Sequence, residues 1–168
     1  QHRFPTLEDA IGKVTSSAIS AAETMRRVVT FADHEPGHIC SEYRTALQKL
    51  RQHVLLAADI DIWAPKDSWL ALIKRSGISH LFSAMSFSSD HGIVKPSPKP
   101  FQLVLDQLGI TSSEGLVVGD SPRRDLGGAS AANIDCVQVG GACHSDAVAC
   151  YSSLLEFCHA LQTSSTQR

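Results

Sequence analysis

Two short passages hold residues whose types and spacing can do chemistry. In Gly115-Leu116-Val117-Val118-Gly119-Asp120-Ser121-Pro122-Arg123-Arg124-Asp125, an apolar strand ends in Gly-Asp and a second carboxylate follows five residues later. In an open α/β sheet, ligands bind just beyond the carboxyl ends of the strands. Asp120 falls at such an end and Asp125 where the next helix begins, so the pair offers hard oxygen ligands suited to Mg²⁺. The same two residues could instead cap a turn and a helix. In Gly92-Ile93-Val94-Lys95-Pro96-Ser97-Pro98-Lys99-Pro100-Phe101, alternating prolines fix an extended path into a helix and keep Lys95 out of regular structure. A lysine on a rigid loop near carboxylates can neutralise them and hold a phosphate oxygen as a point charge. A third feature is Asp59-Ile60-Asp61, which follows the apolar run Val54–Ala58.

The elements that must position these residues alternate in type. Apolar residues at Leu7, Ile11, Val14, Ala18, Ala22, Met25 and Val29 predict one long amphipathic helix, or two with a break near Ser16-Ser17. Phe31 to His38 reads as a loop, and Tyr43, Ala46, Leu47 and Leu50 mark another helix. Val54–Ala58 suits a buried parallel strand. Asp67 opens a helix that Gly77 closes, and a short strand is expected within Leu81–Phe87. Pro100 opens a helix that Gly109 closes. Leu116–Val118 and Cys136–Val139 are strands around a helix from Asp125 to Ala132. Helix is expected from Ser145 to Leu161, with a frayed end from Thr163 to Arg168. The fold class is therefore α/β, a Rossmann-like parallel sheet preceded by a small helical segment. The expected divisions are 1–50 for that segment, 51–162 for the core and 163–168 for a disordered tail.

With 43% hydrophobic and 19% charged residues, 168 residues can bury one core. A net charge of −2, with both signs interspersed, gives no reason to expect nucleic acid or an anionic membrane as partner. No apolar run approaches the roughly 20 residues of a bilayer span, and Gln1-His2-Arg3-Phe4-Pro5 has no signal-peptide pattern. Without an initiating Met, the chain is expected to be processed or part of something longer. Cys40, Cys136, Cys143, Cys150 and Cys158 are odd in number and read as reduced thiols in a cytoplasmic setting. Cys143, His144, Cys150, Cys158 and His159 lack the close pairs of a zinc site.

Lys95-Pro96-x-Pro98-x-x-Phe101, then Val118-Gly119-Asp120-Ser121-x-x-x-Asp125-x-x-Gly128-Ala129, resembles motifs III and IV of the haloacid dehalogenase-like (HAD) superfamily. Ala131-Ala132-Asn133-Ile134 resembles that family's alanine-rich helix and its turn into the next strand, and Ser76-Gly77-Ile78 with Leu81-Phe82 and Ser86 the approach to motif III. The likeness runs from about Val54 to Val139. It implies a phosphatase in which Lys95 holds the nucleophile and phosphate while Asp120 and Asp125 bind Mg²⁺. The substrate would be a small phosphorylated metabolite. The N-terminal third resembles a helical cap. A dehalogenase is the weaker reading, since it has no need of the carboxylate pair.

In that family an Asp-x-Asp on the first strand supplies the attacking carboxylate and the general acid and base. No such motif precedes the cap-like helices here. Asp59-Ile60-Asp61 admits two assignments. In one it occupies the motif II position, with Ala58 where the family has a phosphate-binding Ser or Thr and Asp59 in the following place. In the other, Asp59 is the nucleophile and Asp61 the acid/base of a displaced motif I. The count of residues to Lys95 favours the first. The absent strand would be central, so its lack leaves two inner strand edges unpaired and favours association with another copy. The alternative function is a catalytically inactive relative with a binding or regulatory role. Among lesser candidates, His34 and His38 lie in the cap-like loop, and Arg123 and Arg124 could approach a phosphate. Trp63 and Trp69 read as packing residues.

Overall fold

The computed structural model describes residues 6–15 and 19–165, with side chains described as far as Gln162. The N-terminal helical pattern resolves into two helices, α1 (Leu7–Thr15) and α2 (Ala21–His34), the latter capped by Ser20 through its hydroxyl on Glu23 N–H. Ser16 and Ser17, where the break was expected, lie outside the described residues, as do positions 166–168 of the expected tail. α2 runs on through Phe31–His34, which the sequence reading took as loop. Ala32 explains the difference: it is buried beside Val28, so this turn carries an apolar stripe and continues the helix. α3 (Ser41–Leu50) follows.

The remainder alternates: β1 (Leu56–Ile60), α4 (Asp67–Arg75), β2 (Phe82–Phe87), the one-turn α5 (Ser88–His91), α6 (Lys99–Leu108), β3 (Leu116–Gly119), α7 (Gly127–Ala131), β4 (Asp135–Val139), β5 (Ala149–Tyr151) and α8 (Leu154–Ser165). β1 starts two residues later than its apolar run and so carries Asp59 inside the ladder. Gly109 ends α6 at φ +67°, where a side chain would be strained. β5 and the loop before it replace the first part of the helix expected from Ser145. The outer edge of β4 is open to pairing, and Val148 N–H, next to β5, donates to Cys136 O at 2.9 Å. Three residues carry no period by which a sequence could distinguish strand from helix.

All pairings are parallel, and the strands form two sheets rather than one: β1–β2, and β3–β4–β5. Among the described residues no ladder joins β1 to β3. These are the two strands between which the family resemblance places the absent central strand. Apolar packing still ties the halves together: Leu56 of β1 and Val118 of β3 both pack against the cluster of Ala46, Leu50, Val137, Phe157 and Cys158. A second cluster joins Phe101 of α6 to Leu126, Ala129, Ala132, Ile134 and Cys136. A third, with Ile73, Ile78, Leu81 and Phe87, backs β1 and β2.

The cysteines depart from the sequence reading in one respect. Cys143 and Cys150 are joined as a disulfide, with Cα atoms 5.7 Å apart, so these two are not thiols; Cys40, Cys136 and Cys158 are free. The turn at Gly140 and Gly141, together with β5 folding back along β4, creates this proximity, which composition cannot reveal.

Gly128 shows why the motif carries glycine. A Cβ there would stand 2.5 Å from Phe101 Cε2 and 3.4 Å from the Pro96 backbone. Gly128→Ala is expected to cost about 1–3 kcal/mol by overpacking, read as a lowered denaturation midpoint in urea. Unchanged stability would mean that α6 can move away from α7 freely.

Candidate active site

Three segments converge where the two sheets meet. β1 ends in Asp59-Ile60-Asp61, the proline-rich loop carries Lys95, and β3 ends in Gly119-Asp120. Between Asp120 and α7 the chain makes a single wide turn over Pro122–Leu126, in which the N–H groups of Asp125 and Leu126 both donate to Ser121 O, at 2.8 and 3.2 Å. Such turns recur at functional sites. This one rotates Asp125 inward, to 8% exposure. Gly119 makes room for it, because a Cβ at 119 would overlap the Asp125 side chain.

Lys95 is the hub. Its Nζ lies 2.9 Å from Asp125 Oδ1 and 3.9 Å from Asp59 Oδ2, and donates to the Asp59 carbonyl at 3.1 Å. Its backbone N–H is 3.3 Å from Asp61 Oδ2. The second oxygen of Asp125 accepts the Ser121 N–H at 3.0 Å. One ammonium thus serves several acids in a half-sealed site, and the electrostatics reflect the imbalance. Burial pushes the Asp59 carboxyl up to about 6, with Lys95 opposing and Asp61 adding to the rise. Burial also raises Asp61, against the pull of Lys95 and Arg124. Neither Asp59 oxygen has a hydrogen-bond partner of good geometry.

The sequence candidates separate clearly. Lys95, Asp59, Asp61 and Asp125 come together; Asp120 sits at the same strand end but is exposed. Arg124 acts electrostatically on Asp61, whereas among the described residues Arg123 forms no ion pair with these acids. His34 and His38 are exposed, and His34 Nδ1 is 2.7 Å from the Thr30 carbonyl, a local helical contact. Trp69 packs beside the β1–β2 cluster and donates to Glu35 at 3.4 Å. Trp63 is 45% exposed, and its carbonyl accepts the Leu7 N–H at 3.2 Å.

Two residues without a functional reading at the sequence level belong here. Ser86 is buried on β2 opposite Asp59, and His91 Nε2 lies 3.1 Å from its hydroxyl. Their five-residue spacing across a strand-to-helix junction has no periodic signature.

For a metal ion the donor chemistry fits only in part. Among the described residues no three of His, Cys, Asp and Glu converge as a cation site. Asp120 and Asp125 are nevertheless oxygen donors at one strand end, and Mg²⁺ is commonly held by one or two carboxylates plus waters and phosphate. They could supply that smaller share.

The fold is of the α/β class, with parallel strands whose carboxyl ends gather this acid–lysine site. The chain belongs to the haloacid dehalogenase-like hydrolase family, whose model matches residues 1–133. It is 38% identical over 64 residues to phosphoserine phosphatase of Thermus thermophilus, covering 38% of this chain and 26% of that protein. With the pyrophosphatase PpaX of Bacillus cereus it shares 28% identity over 130 residues, 76% of this chain and 59% of the relative. The matched parts thus span about a quarter and under two thirds of these two relatives. Among solved structures, 2-haloacid dehalogenase from Pseudomonas syringae shares the fold at TM-score 0.69, 22% identity, 94% of this chain and 68% of that one. A HAD phosphatase from Thermococcus onnurineus does so at TM-score 0.60, 20% identity, 92% and 86%. No helix among the described residues is long and apolar enough to cross a membrane.

Proposed function

We propose that this chain is part of a Mg²⁺-dependent phosphatase acting on a small-molecule phosphate monoester, and that the attacking carboxylate arrives on a strand seated between β1 and β3. The observation that carries the reading is the position of Lys95, which binds acids from both halves of the divided sheet. The open inner edges of β1 and β3 support the location of the missing strand. That strand would come from an upstream segment of a longer protein or from a second copy. Among the described residues β1 pairs only with β2, the strand leading to Lys95, which favours the motif II assignment of Ala58 and Asp59 over Asp59 as nucleophile and Asp61 as acid/base. The helices before β1 would serve as the cap, with 51–162 as the core.

In this mechanism Lys95 holds a phosphate oxygen and keeps the attacking carboxylate anionic and oriented. Asp125, anchored by Ser121 N–H, holds Lys95 in place. Asp120 and Asp125 would ligate Mg²⁺, which when bound neutralises the approach of anion to anion. Attack on phosphorus would break the ester P–O bond, the alcohol leaving with a proton from the general acid of the same strand, and the resulting aspartyl phosphate would be cleaved by water to inorganic phosphate and the free carboxylate. The phosphatase relatives support this choice of substrate class over a dehalogenase.

Ala58, with no hydroxyl for a phosphate, favours a second reading, a non-catalytic relative that binds a phosphorylated ligand or regulates a partner. One experiment separates the two: the natural full-length protein is assayed on a panel of phosphate monoesters with and without Mg²⁺. Mg²⁺-dependent release of phosphate, lost by about 10²-fold or more in Asp120→Asn, is the expected result. Phosphate-ester binding without turnover would select the second reading.

A further inference from the structure

The Asp59 carboxylate is buried without a hydrogen-bond partner of good geometry, and the neighbouring strand holds a group prepared to serve it. Ser86 lies opposite Asp59 in the β1–β2 register and is 4% exposed. His91, at the end of α5, places Nε2 at 3.1 Å from Ser86 Oγ. Its Nδ1 accepts the Ile93 N–H at 3.2 Å. A neutral imidazole carries one proton. Because Nδ1 is an acceptor here, the proton resides on Nε2 and His91 donates to Ser86. Burial holds the His91 pKa down and keeps the ring neutral, against Asp90 and Asp61, which pull it up. Ser86 Oγ is then an acceptor whose own O–H is left to give. Burial dominates the raised Asp59 pKa, and the Ser86 hydroxyl, at the matched register position, draws it down by less.

We propose that Ser86 and His91 are positioning residues of this site: His91 fixes the rotation of the Ser86 hydroxyl so that its proton is directed at the Asp59 carboxylate. The pair thereby supplies from β2 a hydroxyl at the strand end where β1 has Ala58. A purely structural role, tying α5 to β2, is the competing account, and it predicts no effect on Asp59. The proposal deepens the reading of this strand end as the phosphate site, yet its test needs no phosphate ester. A protein without turnover would leave the result standing.

The test is NMR on the full-length labelled protein. At pH 8 the His91 ring nitrogens are expected to report the Nε2–H form. Following the Asp59 carboxyl carbon against pH, Ser86→Ala is expected to raise its midpoint by about 0.5–1 unit. Ser86→Thr, which keeps the hydroxyl, should restore it, and His91→Ala should raise it by a smaller amount. The other groups facing Asp59, namely Lys95, Asp61 and Asp125, are unchanged in these variants. Should Ser86→Ala fail to fold, His91→Ala carries the same readout. An Nδ1–H form, or a lower Tm with an unmoved Asp59 midpoint, overturns the proposal.

Discussion

Lys95→Met is expected to destabilise the protein by about 3–5 kcal/mol, because removing one partner from a buried ion pair leaves the other charge uncompensated. The Lys95 and Asp125 side chains are 12% and 11% exposed, so solvent cannot substitute for the lost ammonium. Asp59 loses the positive charge that opposes its desolvation, and Asp61 loses the same influence. Methionine keeps most of the packing volume, which isolates the charge effect. The sign of the pH dependence follows. Protonation relieves stranded acids, so the deficit relative to the native protein should be larger at pH 8 than at pH 5. Urea denaturation of both proteins at the two pH values measures it. Equal stabilities at pH 8 would show that Lys95 is not the compensating charge. In a protein with phosphatase turnover, the same change should lower kcat/KM by about 10²-fold or more.

The second large effect has the opposite sign. Asp59→Asn is expected to stabilise the protein above pH 6, by at most about 3 kcal/mol. The Asp59 carboxyl is raised from 3.8 to about 6, so the folded state holds this proton more tightly than the unfolded chain does. Its stabilising contribution is complete below 3.8 and lost as pH rises through 6. An amide has the shape of the protonated acid and does not titrate. The variant's stability should therefore stay nearly flat between pH 4 and 7 where the native protein declines, apart from a smaller slope of the same sign from Asp61. A parallel decline in both proteins would place the linkage elsewhere. Activity adds a discriminating readout. A stabilised variant that still turns over a phosphate ester puts the attack on another residue, as the motif II assignment requires. A stabilised but dead variant would make Asp59 the nucleophile.

Much of this architecture was legible in the residues themselves. Pro100 and Gly109 bracket α6, Gly77 follows α4, and the apolar run into Gly119-Asp120 is a strand ending at the site. These are local signals: a fixed φ, a left-handed turn, or a period that one segment carries within itself. The likeness in motifs III and IV rests on the same kind of information, and the family membership agrees with it.

What sequence alone determined, then, is the class of fold, the order of most of its elements and which segments carry the family's motifs. Only the tertiary structure decided which acids share Lys95, because that depends on the wide turn that buries Asp125 and leaves Asp120 in solvent. It also decided that the strands divide into two sheets, that Cys143 meets Cys150, and that Ser86 stands opposite Asp59 with His91 against its hydroxyl. Each of these is a contact between segments, or a side-chain direction set by one irregular turn. Neither leaves a periodic trace in the chain, so neither could be read before the chain was folded.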